Sequence, residues 1–192
     1  MAHLGRGHPA VPGDARRRAI GERAVSGIAI LNALSADAAR DALGACCPSA
    51  RWSRDLAALR PFPSESALIV AGTGLLDGMP DAELVEVISR HDPIGVDPGE
   101  DRVTGRWSRR EQSGVLGGDA AVREEFAELN RRYRERFGYV YLVYATGLSA
   151  AGIRDDLVRR LRQDEADELR TARAELRKIV ELRLGRILEA VR

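Results

Sequence analysis

An all-α, single-domain bundle of about eight helices is the fold this sequence predicts, and three observations carry it. Apolar residues recur at spacings of three and four through most of the chain. Serines, prolines and glycines stand where those periodic stretches should begin and end. Only one stretch, residues 139–145, has the composition of a strand, and it has nothing to pair with. A chain of 192 residues, 44% of them hydrophobic, can bury one substantial core.

Taken in order, residues 1 to about 20 mix Gly, Pro and Arg without periodicity and read as a disordered leader, leaving residues 21–192 as the folded domain. Ile28, Ile30, Leu31 and Leu34 precede Ser35, an N-cap for a helix through Cys46 with Ala39, Leu43 and Cys46 on one face. Ser49 caps a second helix carrying Trp52, Leu56 and Leu59, which the prolines at 61 and 63 stop. Ser64 starts a third, with Ala67, Leu68, Ala71 and Leu75. Pro80, at a natural first helical position, opens a short amphipathic helix with Leu84, Val85 and Ile88 that ends at His91. A loop rich in Pro and Gly follows, and Ser108 begins the next helical segment.

Gly117 and Gly118 break that segment, and Asp119 caps a longer helix whose stripe is Val122, Phe126, Leu129, Tyr133 and Phe137, stopped by Gly138. Residues 139–145 are expected to be a buried short helix or an extended segment. Ser149 then caps a helix with Ile153, Leu157, Val158 and Leu161. Asp164 opens a final long helix, apolar at Leu169, Ala172, Leu176, Ile179, Val180, Leu184, Ile187 and Val191, with Glu and Arg read on its outer face.

The formal net charge of +1 argues against an electrostatic hold on nucleic acid or anionic lipid. No apolar run reaches the roughly 20 residues of a membrane helix, and the first residues lack a signal peptide's apolar core, so a soluble, cytoplasmic protein is expected. Cys46 and Cys47 are adjacent and lack zinc-site spacing, which reads as buried free thiols. Nucleotide-binding glycine motifs and a nucleophile elbow are absent from the sequence.

Two polar clusters bracket the loop between residues 89 and 116. His91 stands at its start, where a histidine can simply face the last carbonyls of a helix. Ser108, Glu111 and Gln112 stand at its end, and Ser108 with Glu111 is on its face a capping box. If the loop brings them together, the histidine and the carboxylate make a proton-handling pair, with His91 near its ordinary pKa. Tyr139, Tyr141, Tyr144 and the segment 60–62 could line a pocket or belong to the core, and the pairs Glu124–Glu125 and Arg159–Arg160 read as solvated faces.

Together these pieces resemble the 2-oxo-4-hydroxy-4-carboxy-5-ureidoimidazoline (OHCU) decarboxylase family. The resemblance runs over roughly residues 28–190 and rests on CCPSARW at 46–52, RPF at 60–62, HDPIG at 91–95, WSRREQSGV at 107–115 and LNRRYRERFGYVYLVYATG at 129–147, with RLRQDEADELRTARAELRKIVELRL from 160. It implies an all-α fold, a homodimer, and a cofactor-independent carboxy-lyase of urate catabolism that forms (S)-allantoin and CO2 without a metal. It further implies that His91 is the catalytic acid and Glu111 its polar partner on the substrate. Asp92, Pro93, Ser108, Gln112 and the segment Tyr141, Leu142, Val143, Tyr144 and Ala145 would bind a small-molecule substrate, with no nucleic-acid or membrane partner.

Two departures from the family pattern are visible. His91-Asp92-Pro93-Ile94-Gly95 stands where relatives read His-Pro-Arg-Ile-Gly, and Leu148 follows Ala145-Thr146-Gly147 where many carry a basic residue. Both lower positive character near a carboxylate ligand. The alternative readings are a diverged enzyme acting on another small molecule in a biosynthetic pathway, and a non-catalytic binding homologue.

Overall fold

A computed structural model describes residues 26–95 and 120–190, and within them the chain is all-α. Eight helices are found among the described residues: α1 (Gly27–Ala33), α2 (Ala36–Gly44), α3 (Ala50–Ala58), α4 (Glu65–Asp77), α5 (Asp81–Ser89), α6 (Ala120–Phe137), α7 (Ala150–Arg160) and α8 (Glu165–Ala190). The expected leader lies outside the described residues. None of the described helices is long and apolar enough to cross a membrane.

The serine caps are where the periodicity places them. Ser35, Ser49, Ser64 and Ser149 accept from the amides of Ala38, Trp52, Ala67 and Gly152 at 3.2, 3.0, 3.1 and 3.1 Å, each satisfying one of the donors a helix start leaves free. Asp164 does the same for α8, accepting from the Asp167 amide at 2.8 Å. Gly138, at φ +81°, ends α6 in the left-handed region that a side chain disfavours. Smaller expectations shift: α2 stops at Gly44 and leaves Cys46 in the turn beyond it. Pro80 is the N-cap of α5 rather than its first turn, and Leu59 caps α3 and is 53% exposed rather than packed.

The long helix α8 is the axis of the bundle. It packs against α1, α2, α4 and α5, α3 lies between α2 and α4, and α6 pairs with α7. Leu176, Val180 and Leu184 of α8 are fully buried, as are Leu68 and Leu76 of α4. Trp52 is buried with its indole N–H donating to the Gly72 carbonyl at 2.8 Å, so its polar edge is satisfied inside the core. Arg173 of α8 reaches the last carbonyls of α4, donating to Leu76 at 2.9 Å and to Met79 at 2.8 Å, and pairs with Asp81.

The helix α1 is absent from the sequence reading, and the reason is physical. Seven residues are too few to hold a helix by local propensity, so packing must hold it. Gly27 permits that packing: a Cβ there would sit 2.0 Å from the Leu188 carbonyl oxygen of α8. Alanine is the better helix former by about 1 kcal/mol, yet Gly27→Ala is expected to lower stability by about 1–3 kcal/mol because α1 must move off α8. Chemical denaturation checks this, and an unchanged midpoint would mean that α1 does not rest on α8.

Candidate active site

The site is built outward from the end of α5. Leu84, Val87 and Ile88 bury one face of that helix, and the chain leaves it in a last tight turn in which the His91 amide donates to the Ile88 carbonyl at 3.0 Å. The ring then folds back on the helix, with Nδ1 2.9 Å from the Val87 carbonyl oxygen. A carbonyl only accepts, so Nδ1 carries the proton and Nε2 holds a lone pair. The residue is partly exposed as a whole, but Nε2 is buried and has no hydrogen-bond partner among the described residues.

Burial disfavours the charged imidazolium, and the positive charge of Arg183 adds to it, while the bonds to Val87 and Ile88 partly oppose both. The His91 pKa is lowered to about 4. The ordinary pKa expected from sequence is thereby corrected: at neutral pH His91 is a neutral base with its free lone pair turned inward. Arg183 lies on α8 and is 3% exposed, a buried residue whose positive charge reaches the histidine. Its charge also bears on the neighbouring thiols, free and buried, where burial is the larger effect and raises Cys47 to about 12 and Cys46 above its ordinary range. These thiols stay protonated and inert.

The rest of the loop is seated by packing and one side chain. Asp92 is exposed and Pro93 half-buried, while Ile94 is buried at 4% exposure. The Ile94 carbonyl accepts from Asn130 Nδ2 of α6 at 2.9 Å. Pro93, Asn130 and Val140 line a cavity of about 300 Å³ together with Ala127, Arg131 and Arg134. The cavity therefore joins the His91 loop to the start of the 139–145 segment.

That segment is neither helix nor strand and is held by a buried polar network. Arg160, fully buried, donates through Nε to both Glu168 oxygens at 2.9 and 3.1 Å, and through NH1 to the Leu142 carbonyl at 2.8 Å. Tyr133 donates its hydroxyl to Glu168, and Arg160 lies over the Tyr141 ring at 4.7 Å. Arg160 is therefore core, not the solvated face read from sequence. Tyr141 is committed as well, its hydroxyl donating to Asp156 at 2.7 Å and its ring edge-on to Tyr133 at 5.4 Å. Val143 and Tyr144 are half-buried, the Tyr144 amide donates to Glu175 of α8 at 2.8 Å, and Ala145 is buried.

The structure thus sets His91 within reach of the charge of Arg183, and puts Pro93 and Val140 on the wall of one cavity. Ser108, Glu111 and Gln112 lie outside the described residues. The described hydrogen bonds of the 141–145 segment run to α7, to α8 and to the Leu148 amide in the turn that follows, rather than to His91. Arg183 is the residue the sequence reading missed, although a signal existed. It occupies the i+3 position between Val180 and Leu184 in the apolar stripe of α8, where a charge is not expected to be solvated.

A family model described as OHCU decarboxylase matches residues 32–185. The chain is 36% identical over 150 residues to the 2-oxo-4-hydroxy-4-carboxy-5-ureidoimidazoline decarboxylase of Bos taurus, covering 74% of this chain and 84% of that protein. It is 29% identical over 160 residues to a uric acid degradation bifunctional protein of Bacillus subtilis (strain 168), covering 82% of this chain and 32% of that longer one. Its fold is that of a crystal structure of OHCU decarboxylase in the presence of (S)-allantoin, with a TM-score of 0.68 at 23% identity over 78% of this chain and 98% of that one.

Proposed function

The chain belongs to the OHCU decarboxylase family, and from that premise we propose that it converts 2-oxo-4-hydroxy-4-carboxy-5-ureidoimidazoline to (S)-allantoin and CO2 in urate degradation. The observation that carries the chemistry is the buried Nε2 of His91, without a hydrogen-bond partner among the described residues, its lone pair fixed by the Nδ1 bond to the Val87 carbonyl, in a site where the charge of Arg183 is felt. A carboxy-lyase acting on this substrate needs no external electron sink, because the ring C=N next to the scissile bond accepts the electrons. The protein must orient the carboxylate, hold the departing charge and move one proton.

The steps follow from those groups. Arg183 supplies positive potential near His91 for the substrate carboxylate. The bond from the carboxylate carbon to the hydroxyl-bearing carbon breaks, and its electron pair forms a C=C bond to the adjacent ring carbon. The C=N pair moves onto nitrogen, which takes a proton. The enol that remains then gives its O–H proton to the neutral His91 Nε2 as its oxygen becomes a carbonyl, and the adjacent carbon takes a proton on one face. His91 is thus base before it is acid, the order its lowered pKa favours. Glu111, Ser108 and Gln112 complete the substrate contacts in this reading, with Asp92, Pro93 and the 141–145 segment around them. A cytoplasmic homodimer is the assembly this reading carries, and Val70 of α4, 70% exposed, is an apolar residue available on the surface for it.

The test is circular dichroism on substrate generated in the cuvette from urate by the two preceding enzymatic steps. Optical activity of (S)-allantoin is expected to appear well ahead of spontaneous decay. The kcat/KM profile is expected to hold its rate down to pH 5 and to fall only as pH drops through about 4, where His91 takes a proton. An acid limb near the ordinary histidine value of about 6.5 would show that His91 is not the buried base. No acceleration over spontaneous decay would remove the decarboxylase reading for this chain and leave a diverged enzyme acting on another small molecule, or a non-catalytic binding homologue, as the alternatives.

A further inference from the structure

We infer that Asn130 is a positioning residue for His91, holding the 91–95 loop from α6 through its hydrogen bond to the Ile94 carbonyl. The inference rests on the decarboxylase reading for its kinetic consequence, but the geometry behind it is independent of substrate. Attachments of the loop among the described residues include three that fix its course. The His91 amide and ring hold to the end of α5, the Ile94 side chain is sunk in the core, and Asn130 Nδ2 donates to the Ile94 carbonyl at 2.9 Å. The first two set how deep the loop sits, whereas the third sets where it lies along α6.

Packing does not substitute for that bond. The cavity of about 300 Å³ lies against Pro93 and Asn130, so on this side the loop has space into which it can move. Asn130 itself is oriented for the purpose. Its Nδ2 is spent on Ile94, while Oδ1 is buried without a hydrogen-bond partner among the described residues. A buried amide oxygen left unpaired is costly, and it persists here because the donor end is held in place. Asn130 touches no reacting atom in this account. It acts through the loop by keeping His91 Nε2 at one place and one angle, and misplacement of a proton-transferring group by about 1 Å costs about 10²-fold in rate.

The experiment compares the full chain with Asn130→Ala and Asn130→Asp. In Asn130→Ala, kcat is expected to fall about 10- to 100-fold with KM within about threefold, and the allantoin formed is expected to lose enantiomeric purity because protonation is no longer confined to one face. Asn130→Asp keeps the size. When ionised it sets a carboxylate against the Ile94 carbonyl and is expected to be as slow as alanine, and when protonated it regains an O–H donor. Its rate relative to the unsubstituted chain should therefore rise as pH falls, in surroundings that include Asp92 of the loop and the charges of Arg131 and Arg134 on the cavity wall. A purely structural asparagine would lower the melting temperature of both variants without this rescue and without the kcat-only loss. Values of kcat within twofold at a temperature where both variants are folded would overturn the inference. Should the unsubstituted chain not turn over the substrate at all, the His91 ring resonances remain a readout. They are expected to shift and broaden in Asn130→Ala, and unchanged resonances would equally overturn it.

Discussion

His91→Ala is expected to lower kcat by about 10²- to 10⁴-fold, the range over which a positioned acid–base group acts. The loss should fall on kcat more than on KM, because the substrate carboxylate is drawn to positive potential that the substitution leaves in place. His91→Asn separates chemistry from packing: its amide can still donate to the Val87 carbonyl, as Nδ1 does at 2.9 Å, but it has no nitrogen that titrates. It should be as slow as the alanine variant and better folded. Either variant retaining kcat within tenfold of the unsubstituted chain would exclude His91 as the group that moves the proton.

The same residue marks the stability of the fold. With its folded-state pKa lowered to about 4, the folded chain refuses a proton that the unfolded chain binds below about 6.5. Stability therefore falls as pH drops through that window, by up to about 1.4 kcal/mol per pH unit, and is unaffected by this group above it. In His91→Ala that part of the acid sensitivity should vanish, which denaturation midpoints at pH 7 and pH 5 measure directly.

Glu168→Gln is expected to cost about 3–5 kcal/mol of folding free energy. Glu168 and Arg160 are both fully buried, and removing the carboxylate leaves the guanidinium, in a place water cannot solvate, with only the more distant, partly exposed Asp156 at 3.7 Å among the described residues to offset its charge. The Tyr133 hydroxyl loses its charged acceptor in the same change. Arg160→Lys should cost less than Glu168→Gln, because a positive charge is kept, yet an ammonium cannot reach Glu168 and the Leu142 carbonyl together as the guanidinium fork does. Since that carbonyl belongs to the 139–145 segment, activity should drop with stability. Urea denaturation decides the matter: a loss under about 1 kcal/mol for Glu168→Gln would put the pair in the class of exposed ion pairs and contradict its burial.

Much of the fold was legible along the chain because its cues are local. Ser35, Ser49, Ser64, Ser149 and Asp164 announce helix starts by chemistry that acts over three residues, and Gly138 announces an end through a backbone angle. His91 was legible as a candidate for the same reason, since it stands one step past a helix. The family's motifs extended that reading to the whole domain. The tertiary structure alone decided what depends on residues far apart. Helix α1 does carry a local start signal in Ser26, which accepts from the Ala29 amide at 3.3 Å, but nothing local encodes that Gly27 lets so short a helix lie on Leu188, 161 positions away by number. Arg160, Glu168 and Arg183 look like surface charges by composition. Each falls on an apolar stripe, beside Leu157, Ala172 and Val180, and each is buried because a partner or a site on another element awaits it. The proton state of His91 was beyond the sequence for the same reason. A histidine's charge is set by what surrounds it in space, here the desolvation of its ring and the guanidinium of Arg183, and neither adjoins it in the chain.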